Sequence, residues 1–166
     1  MTPQAWRFYV QSSRRKTFLR KREKAFSDSL IEGVSGAFCV LNQEGNFYRW
    51  NSYLNRLSGL SDAQLFQRPW LLSILDEDQL RAATIMHEAM ERGCAGAELR
   101  LLTADRGIRP YYLTLRRFLA GDKAYLAGVG SDITEWQEKM ATLEHEAWTD
   151  PLTQIANRGH FLKIAE

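Results

Sequence analysis

From Ala5 to Glu32 the chain holds neither Gly nor Pro and is dense in good helix formers, and Leu19, Phe26 and Leu30 fall near one face. That pattern predicts a helix whose apolar side docks on something. Gly33 and Gly36 end it. The runs GAFCVLN (36–42) and FYRWN (47–51), separated by QEGN (43–46), then read as two strands in a hairpin. From Asn51 the pattern breaks into short helical pieces, NSYLNRLSG, SDAQLF and LLSIL, punctuated by Asn, Ser, Gly and the Pro69-Trp70 step. Asp76, Glu77 and Asp78 then precede a longer helix ended by Gly93, with Ala82, Ile85, Met86, Ala89 and Met90 forming its core stripe. Strand periodicity returns at 96–103, 109–118 and 124–134, joined by turns ADRG and AGDK. The order predicts an α+β fold: a five-stranded antiparallel sheet with short helices on one side.

From Ile133 onward Ile133, Trp136, Met140, Leu143 and Ala147 repeat at spacings of 3, 4, 3 and 4. This is a two-heptad seam, and burying it calls for a partner helix, so a parallel homodimer is expected; packing back on the same domain would use the same face. Asp150-Pro151 resembles an N-cap with Pro at the first helical position, which starts a new element. The chain thus divides into an N-terminal helix (1–32), a central domain (33–134), an exit helix (135–149) and the beginning of a further unit (150–166).

At 166 residues, 45% hydrophobic and 25% charged, the chain suffices for one globular domain with appendages, which excludes a multi-domain enzyme and global disorder. No apolar run reaches membrane-spanning length or forms a secretory signal, so a cytoplasmic domain is expected, with Cys39 and Cys94 reduced and buried. The net charge of +2 hides an asymmetry: residues 1–30 carry eight Lys/Arg against two acids, and residues 31–166 carry 14 against 18. The basic segment reads as a solvated helix face or as chain lying against a membrane; nucleic acid is not expected. Enzyme signatures are missing: no GxSxG, phosphate loop or HExxH occurs, and His87, His145 and His160 lie far apart.

The WN pair at 50–51, the LSGLS stretch at 57–61, the paired-strand segment LLTADRGIRPYYLTLRRF and the closing GVGSDITE together resemble a PAS sensory domain over about residues 25–136. The tail TDPLTQIANRGHFL (149–162) is similar to the entrance of a GGDEF domain, the diguanylate cyclase module. Asp150, Pro151, Leu152, Thr153, Asn157 and Arg158 match its usual opening, while Gln154, Ile155, Ala156 and Gly159 depart from it. The catalytic signature, with its Mg²⁺ and GTP sites, would lie beyond Glu166.

The PAS resemblance implies a space between sheet and helices for a cofactor or small ligand. Haem is disfavoured because His87 sits about 100° or more off the core stripe at ~3.6 residues per turn. A flavin photoadduct is disfavoured because NSYLNRLSG lacks the reactive cysteine such a site needs. What survives is an unidentified apolar or acidic ligand walled by Phe38, Val40, Trp50, Leu54, Leu57, Trp70, Leu75, Ile85, Met86, Leu113 and Leu115, or no ligand at all, with these residues as core. Arg116 or Arg117 would meet a ligand carboxylate, and strand alternation admits only one of them; Arg116 is the candidate. Asp132 and Thr134, where the last strand becomes the exit helix, are the expected signal-transmission residues, Thr134 doubling as a helix cap. Two functional readings follow: a sensory domain controlling an attached cyclase through its dimeric exit helix, or a ligand-free dimerisation module.

Overall fold

A computed structural model describes residues 19–105 and 107–148, without the side chains of 144–148. Helix α1 covers residues 19–32 of the described chain. Strands β1 (Ala37–Leu41) and β2 (Phe47–Trp50) form the first hairpin. Helices α2 (Ser52–Ser58) and α3 (Asp62–Leu65), 3-10 turns at Trp70–Ser73 and Asp76–Asp78, and α4 (Gln79–Arg92) follow. Strands β3 (Cys94–Leu102), β4 (Ile108–Ala120) and β5 (Lys123–Asp132) lead into α5 (Thr134–Trp148).

The sheet is wholly antiparallel in the order β2-β1-β5-β4-β3. The last strand therefore inserts between the first and the fourth, so the two strands that carry α1 and α5 are neighbours. Ala37 stands opposite Gly130, and Gly36 approaches so closely, at φ 93°, that a Cβ there would lie 2.4 Å from the Gly130 carbonyl oxygen. Only glycine fits that crossing.

One sheet face packs on the helices. Ala37, Leu41, Leu99, Leu101, Tyr111, Leu113, Leu115 and Leu126 meet Leu54, Leu65, Trp70, Ile74, Ala82, Ile85 and Ala89 in a single core. The stripe predicted for the long helix is the one buried in α4, with Met86 and Met90 half-buried at its margin. The alternating glycines of GVG on β5 make room for it: a Cβ at Gly130 would meet Leu113 Cδ2 at 2.6 Å, and one at Gly128 would meet Cys39 Sγ at 2.9 Å. The side chains of β1 and β4 thus lie directly on the β5 backbone.

Local chemistry sets the short elements. Asn51 caps α2 and Gly59, at φ 70°, ends it; Ser61 and Gln64 form a capping box on α3. LLSIL is only partly helical: Ile74 bridges to Leu101, and the Leu75 N–H donates to the Arg100 carbonyl at 2.9 Å, so this stretch guards the free edge of β3. Arg100 reaches across that edge to Glu77 and Asp78, both at 2.8 Å. Its guanidinium holds the Asp78 carboxyl down at a pKa of about 2.

Two expectations need correction here. Cys94 is not buried; it opens β3 and is exposed, because Gly93 turns the chain in a single left-handed step. Cys39 does face the core, where burial pushes its thiol pKa up to about 12. Helix α1 is anchored by polar contacts: Arg49 bonds Asp28 and Ser27, and Glu32 accepts from the Ser52 hydroxyl at 2.7 Å. Leu19, Phe26 and Leu30 remain exposed. Residues 5–18 of the predicted helix lie outside the described residues, as does the stretch 149–162.

Candidate functional site

The expected ligand wall divides into three groups. Leu54, Trp70, Ile85, Leu113 and Leu115 are buried in the core, with Leu57, Met86 and Trp50 packed against it. Leu75 is half-buried at the β3 edge. Phe38, Val40 and Arg116 are on the opposite face of the sheet and cannot line that space. Their register partners Val129, Ala127 and Cys94 mark this face, because directly opposed residues in an antiparallel pair share one side. Arg116 is exposed to solvent. Alternation places Arg117 on the helical side instead, where it donates to the Met90 carbonyl and closes the C-terminal end of α4. Trp50 points its indole N–H out of the core, to Asp62 Oδ1 at 3.0 Å, at the floor of a groove of about 640 Å³ between α1, β2 and α3. His87 is exposed on α4, off the core stripe.

The root of α5 brings several functional candidates together. Asp132 Oδ1 accepts from the Thr134 N–H at 2.9 Å and from the Thr134 hydroxyl at 2.6 Å. The capping therefore runs opposite to expectation: Thr134 does not cap the helix with its own hydroxyl; the Asp132 carboxylate holds the first turn. Ile133 N–H donates to the Pro110 carbonyl at 3.1 Å, tying that turn to β4. Arg109 lies 3.7 Å from Asp132 and 3.6 Å from Asp105. Partial burial works to raise the Asp132 pKa, but the Thr134 bonds outweigh it and Arg109 adds to them, so the carboxyl is held below its ordinary value. A groove of about 800 Å³ opens between β4 and α5, lined by Ile108, Arg109, Pro110, Trp136 and Lys139 among others. Along α5, Trp136, Met140 and Leu143 are exposed and Ile133 half-buried; the Ala147 side chain lies outside the described residues.

Asn51 is the structural hub that the sequence reading passed over. Leaving the aromatic residues aside, it is the one buried polar side chain among the described residues, 1% exposed. Its Oδ1 accepts from Phe38 N–H at 3.1 Å and Leu54 N–H at 3.3 Å, and its Nδ2 donates to the Gly36 carbonyl at 2.9 Å and that of Val34 at 3.4 Å. One side chain thus fastens the α1 exit, β1 and α2. The signal was present in the sequence: an Asn at the boundary between a strand and a helix is an N-cap, and helix caps also bond the chain that precedes them.

Among the described residues no group of three or more His, Cys, Asp or Glu side chains converges as a metal site, and no helix is long and apolar enough to cross a membrane. A search of curated protein sequences returned no match. Solved structures share the fold. A PAS domain from Colwellia psychrerythraea superposes with a TM-score of 0.58 at 21% identity, covering 71% of this chain and 98% of its own. The PAS domain of an HTR-like protein from Haloarcula marismortui gives 0.62 at 17% identity, with coverages of 73% and 99%. The PAS domain of the Cronobacter turicensis RpfR quorum-sensing receptor, in complex with C12:0, gives 0.51 at 18%, with coverages of 61% and 98%. The family profile described as the PAS fold matches residues 31–138, well over half of the chain, and ends within the first turns of α5. With that match and the β2-β1-β5-β4-β3 sheet, the chain belongs to the PAS family of sensory domains.

Proposed function

We propose that this PAS domain is the regulatory module of a diguanylate cyclase, acting as a homodimer whose α5 helices set how two downstream catalytic domains face each other. The observation that carries the reading is the apolar stripe of α5: Trp136 is 56% exposed, Met140 40% and Leu143 59%, three large side chains at heptad spacing on a 15-residue helix. A second copy of the same helix covers such a stripe with its own. The TDPLTQIANRGHFL resemblance supplies the cyclase, which would condense two GTP into cyclic di-GMP with Mg²⁺ in its own catalytic domain, in the cytoplasm. The Asp132 clasp would then convert a shift of β5 into a change in the direction of α5. The two helix arrangements need differ by only a few kcal/mol to be switched.

The test is native mass spectrometry of this chain beside a Trp136→Glu/Met140→Glu variant, followed by cyclase assays of the longer protein with and without a four-residue deletion in α5. A wild-type dimer, a monomeric variant and altered cyclic di-GMP formation on deletion are expected. A monomeric wild type, or activity indifferent to the deletion, would overturn the reading.

A second reading has its own support. Eight of the expected wall residues belong to the core or pack against it, and a side chain at Gly128 or Gly130 would have no room beside β5, which supports a ligand-free dimerisation module. A dimer of bare polypeptide mass would support that form, and a defined extra mass would refute it. Membrane contact through the basic residues Arg7, Arg14, Arg15 and Lys16, which lie outside the described residues, would show as salt-sensitive binding to anionic vesicles.

A further inference from the structure

On the flank of the core, away from the space between sheet and α4, an open pocket of about 340 Å³ lies between α2 and the start of β4. Its walls are pinned together: the Ala104 N–H donates to the Leu57 carbonyl at 2.8 Å, and a Cβ on Gly59 would meet the Ala104 methyl at 2.8 Å. Its floor is the hydroxyl pair of Tyr53 and Tyr111, 3.0 Å apart, with Tyr111 wholly buried. Two phenols hold two hydrogens, and a single O–H···O contact uses one. The other has no acceptor among the described residues and is free for a ligand oxygen.

One cation of the pocket is also uncommitted. Arg56 donates to Ser52 Oγ at 3.0 Å and lies 5.8 Å over the Tyr53 ring, with no carboxylate in ion-pair range among the described residues. Arg109 is ion-paired with Asp105 and Asp132 at 3.6 and 3.7 Å, contacts longer than a direct hydrogen bond. Asp105 is itself occupied by the Thr103 hydroxyl and the Gly107 N–H. Asp105 and Asp132 both lie on Arg109, so the unpaired positive charge of the pocket is that of Arg56, beside the apolar surfaces of Leu57, Ala104 and the Tyr53 ring.

We propose that this pocket binds a small organic monocarboxylate, its oxygens held by Arg56, Arg109 and the free phenol hydrogen, its compact apolar body against Leu57 and Ala104. A planar guanidinium matches a carboxylate bidentately, and the volume suits a molecule of roughly ten heavy atoms. The ligand would compete for Arg109 with Asp132, the residue that clasps the start of α5. The binding site stands on its own geometry; only this coupling rests on the proposed role of α5.

The experiment is an amide NMR titration of the full chain with sodium benzoate at constant ionic strength, with benzamide and inorganic phosphate as comparison probes and Arg56→Gln as the variant. Arg56 is exposed, so the substitution leaves the fold intact. Saturable shifts at Tyr53–Leu57 and Thr103–Tyr111 are expected with benzoate, at least tenfold weaker in Arg56→Gln and for benzamide. A shift of the Thr134 amide along the same isotherm reports the coupling. The proposal is overturned if benzoate gives no saturable shifts, if Arg56→Gln binds it equally well, or if benzamide or phosphate binds as tightly. None of these outcomes alters the oligomeric state, on which the proposed function is judged.

Discussion

Asn51 has four bonds in a site closed to water, so its removal should be felt more than its size suggests. In Asn51→Ala the Phe38 N–H and the carbonyls of Gly36 and Val34 lose their side-chain partner, whereas Leu54 N–H keeps the Asn51 carbonyl at 3.0 Å. These stranded groups and a small cavity should cost about 2–3 kcal/mol. Urea unfolding should show this as a lower midpoint with an unchanged slope. Asp78 gives a prediction with a sign. Unfolded, its carboxyl titrates near 3.8; folded, the Arg100 guanidinium holds it at about 2, so the native state binds the proton less readily. The contribution of the contact is therefore complete above pH ~4 and fades as pH falls toward 2. Because Arg100 is exposed, solvent screens the pair and its contribution at neutral pH is modest. Urea midpoints of Asp78→Asn should lie below wild type at pH 6, and the gap should close between pH 4 and 2; a pH-independent gap would assign the effect to packing.

At the scale of elements, the start of α5 depends on a side chain outside the helix. Asp132→Ala removes the acceptor of the Thr134 N–H, leaving α5 in place but fraying its first turn at about 1 kcal/mol. Hydrogen exchange at the Thr134 amide should accelerate about fivefold, while the β4–β5 ladder exchanges as in wild type; equal protection would show that the Ile133–Pro110 bond alone holds the turn. The sequence made the elements legible wherever one face alternated cleanly with the other. The expected strands at 96–103, 109–118 and 124–134 correspond to β3, β4 and β5 within a few residues, and the stripe of α4 was read residue by residue. It failed where both faces are apolar. AFCVL on β1 offers Phe38 and Val40 as plausibly as Cys39 and Leu41, and only the register with β5 shows which pair meets the helices. Likewise the pairing Arg116/Arg117 told that one guanidinium points to the helical side, not which. The tyrosine-floored pocket was invisible for a different reason: Tyr53 and Tyr111 are far apart in sequence, and periodicity carries no information about which helix end meets which strand.

For the molecule as a whole, the insertion of β5 beside β1 is decisive. It roots α1 and α5 on adjacent strands at the end of the sheet where Gly36 crosses Gly130, from where α1 lies against β2 through Arg49 and α5 lies beside β4. Trp136, Met140 and Leu143 on α5 are exposed to a partner surface, which a second copy of the chain can supply by two-fold symmetry. Stability should therefore depend on concentration. If two folded protomers unfold from a dimer, a tenfold rise in protein concentration adds about 0.7 kcal/mol per protomer by mass action, which for a domain of this size raises the thermal midpoint by about 2–4 °C. The Trp136→Glu/Met140→Glu variant places charge in the seam and should show no such dependence, since unfolding of a monomer does not involve protein concentration. Scanning both proteins over two decades of concentration, with sedimentation across the same range, separates the alternatives. A wild-type midpoint that stays fixed while sedimentation reports a monomer would mean that α5 packs its stripe elsewhere. A fixed midpoint with a dimer present would mean that the protomers part before they unfold, leaving each domain as stable alone as it is when paired.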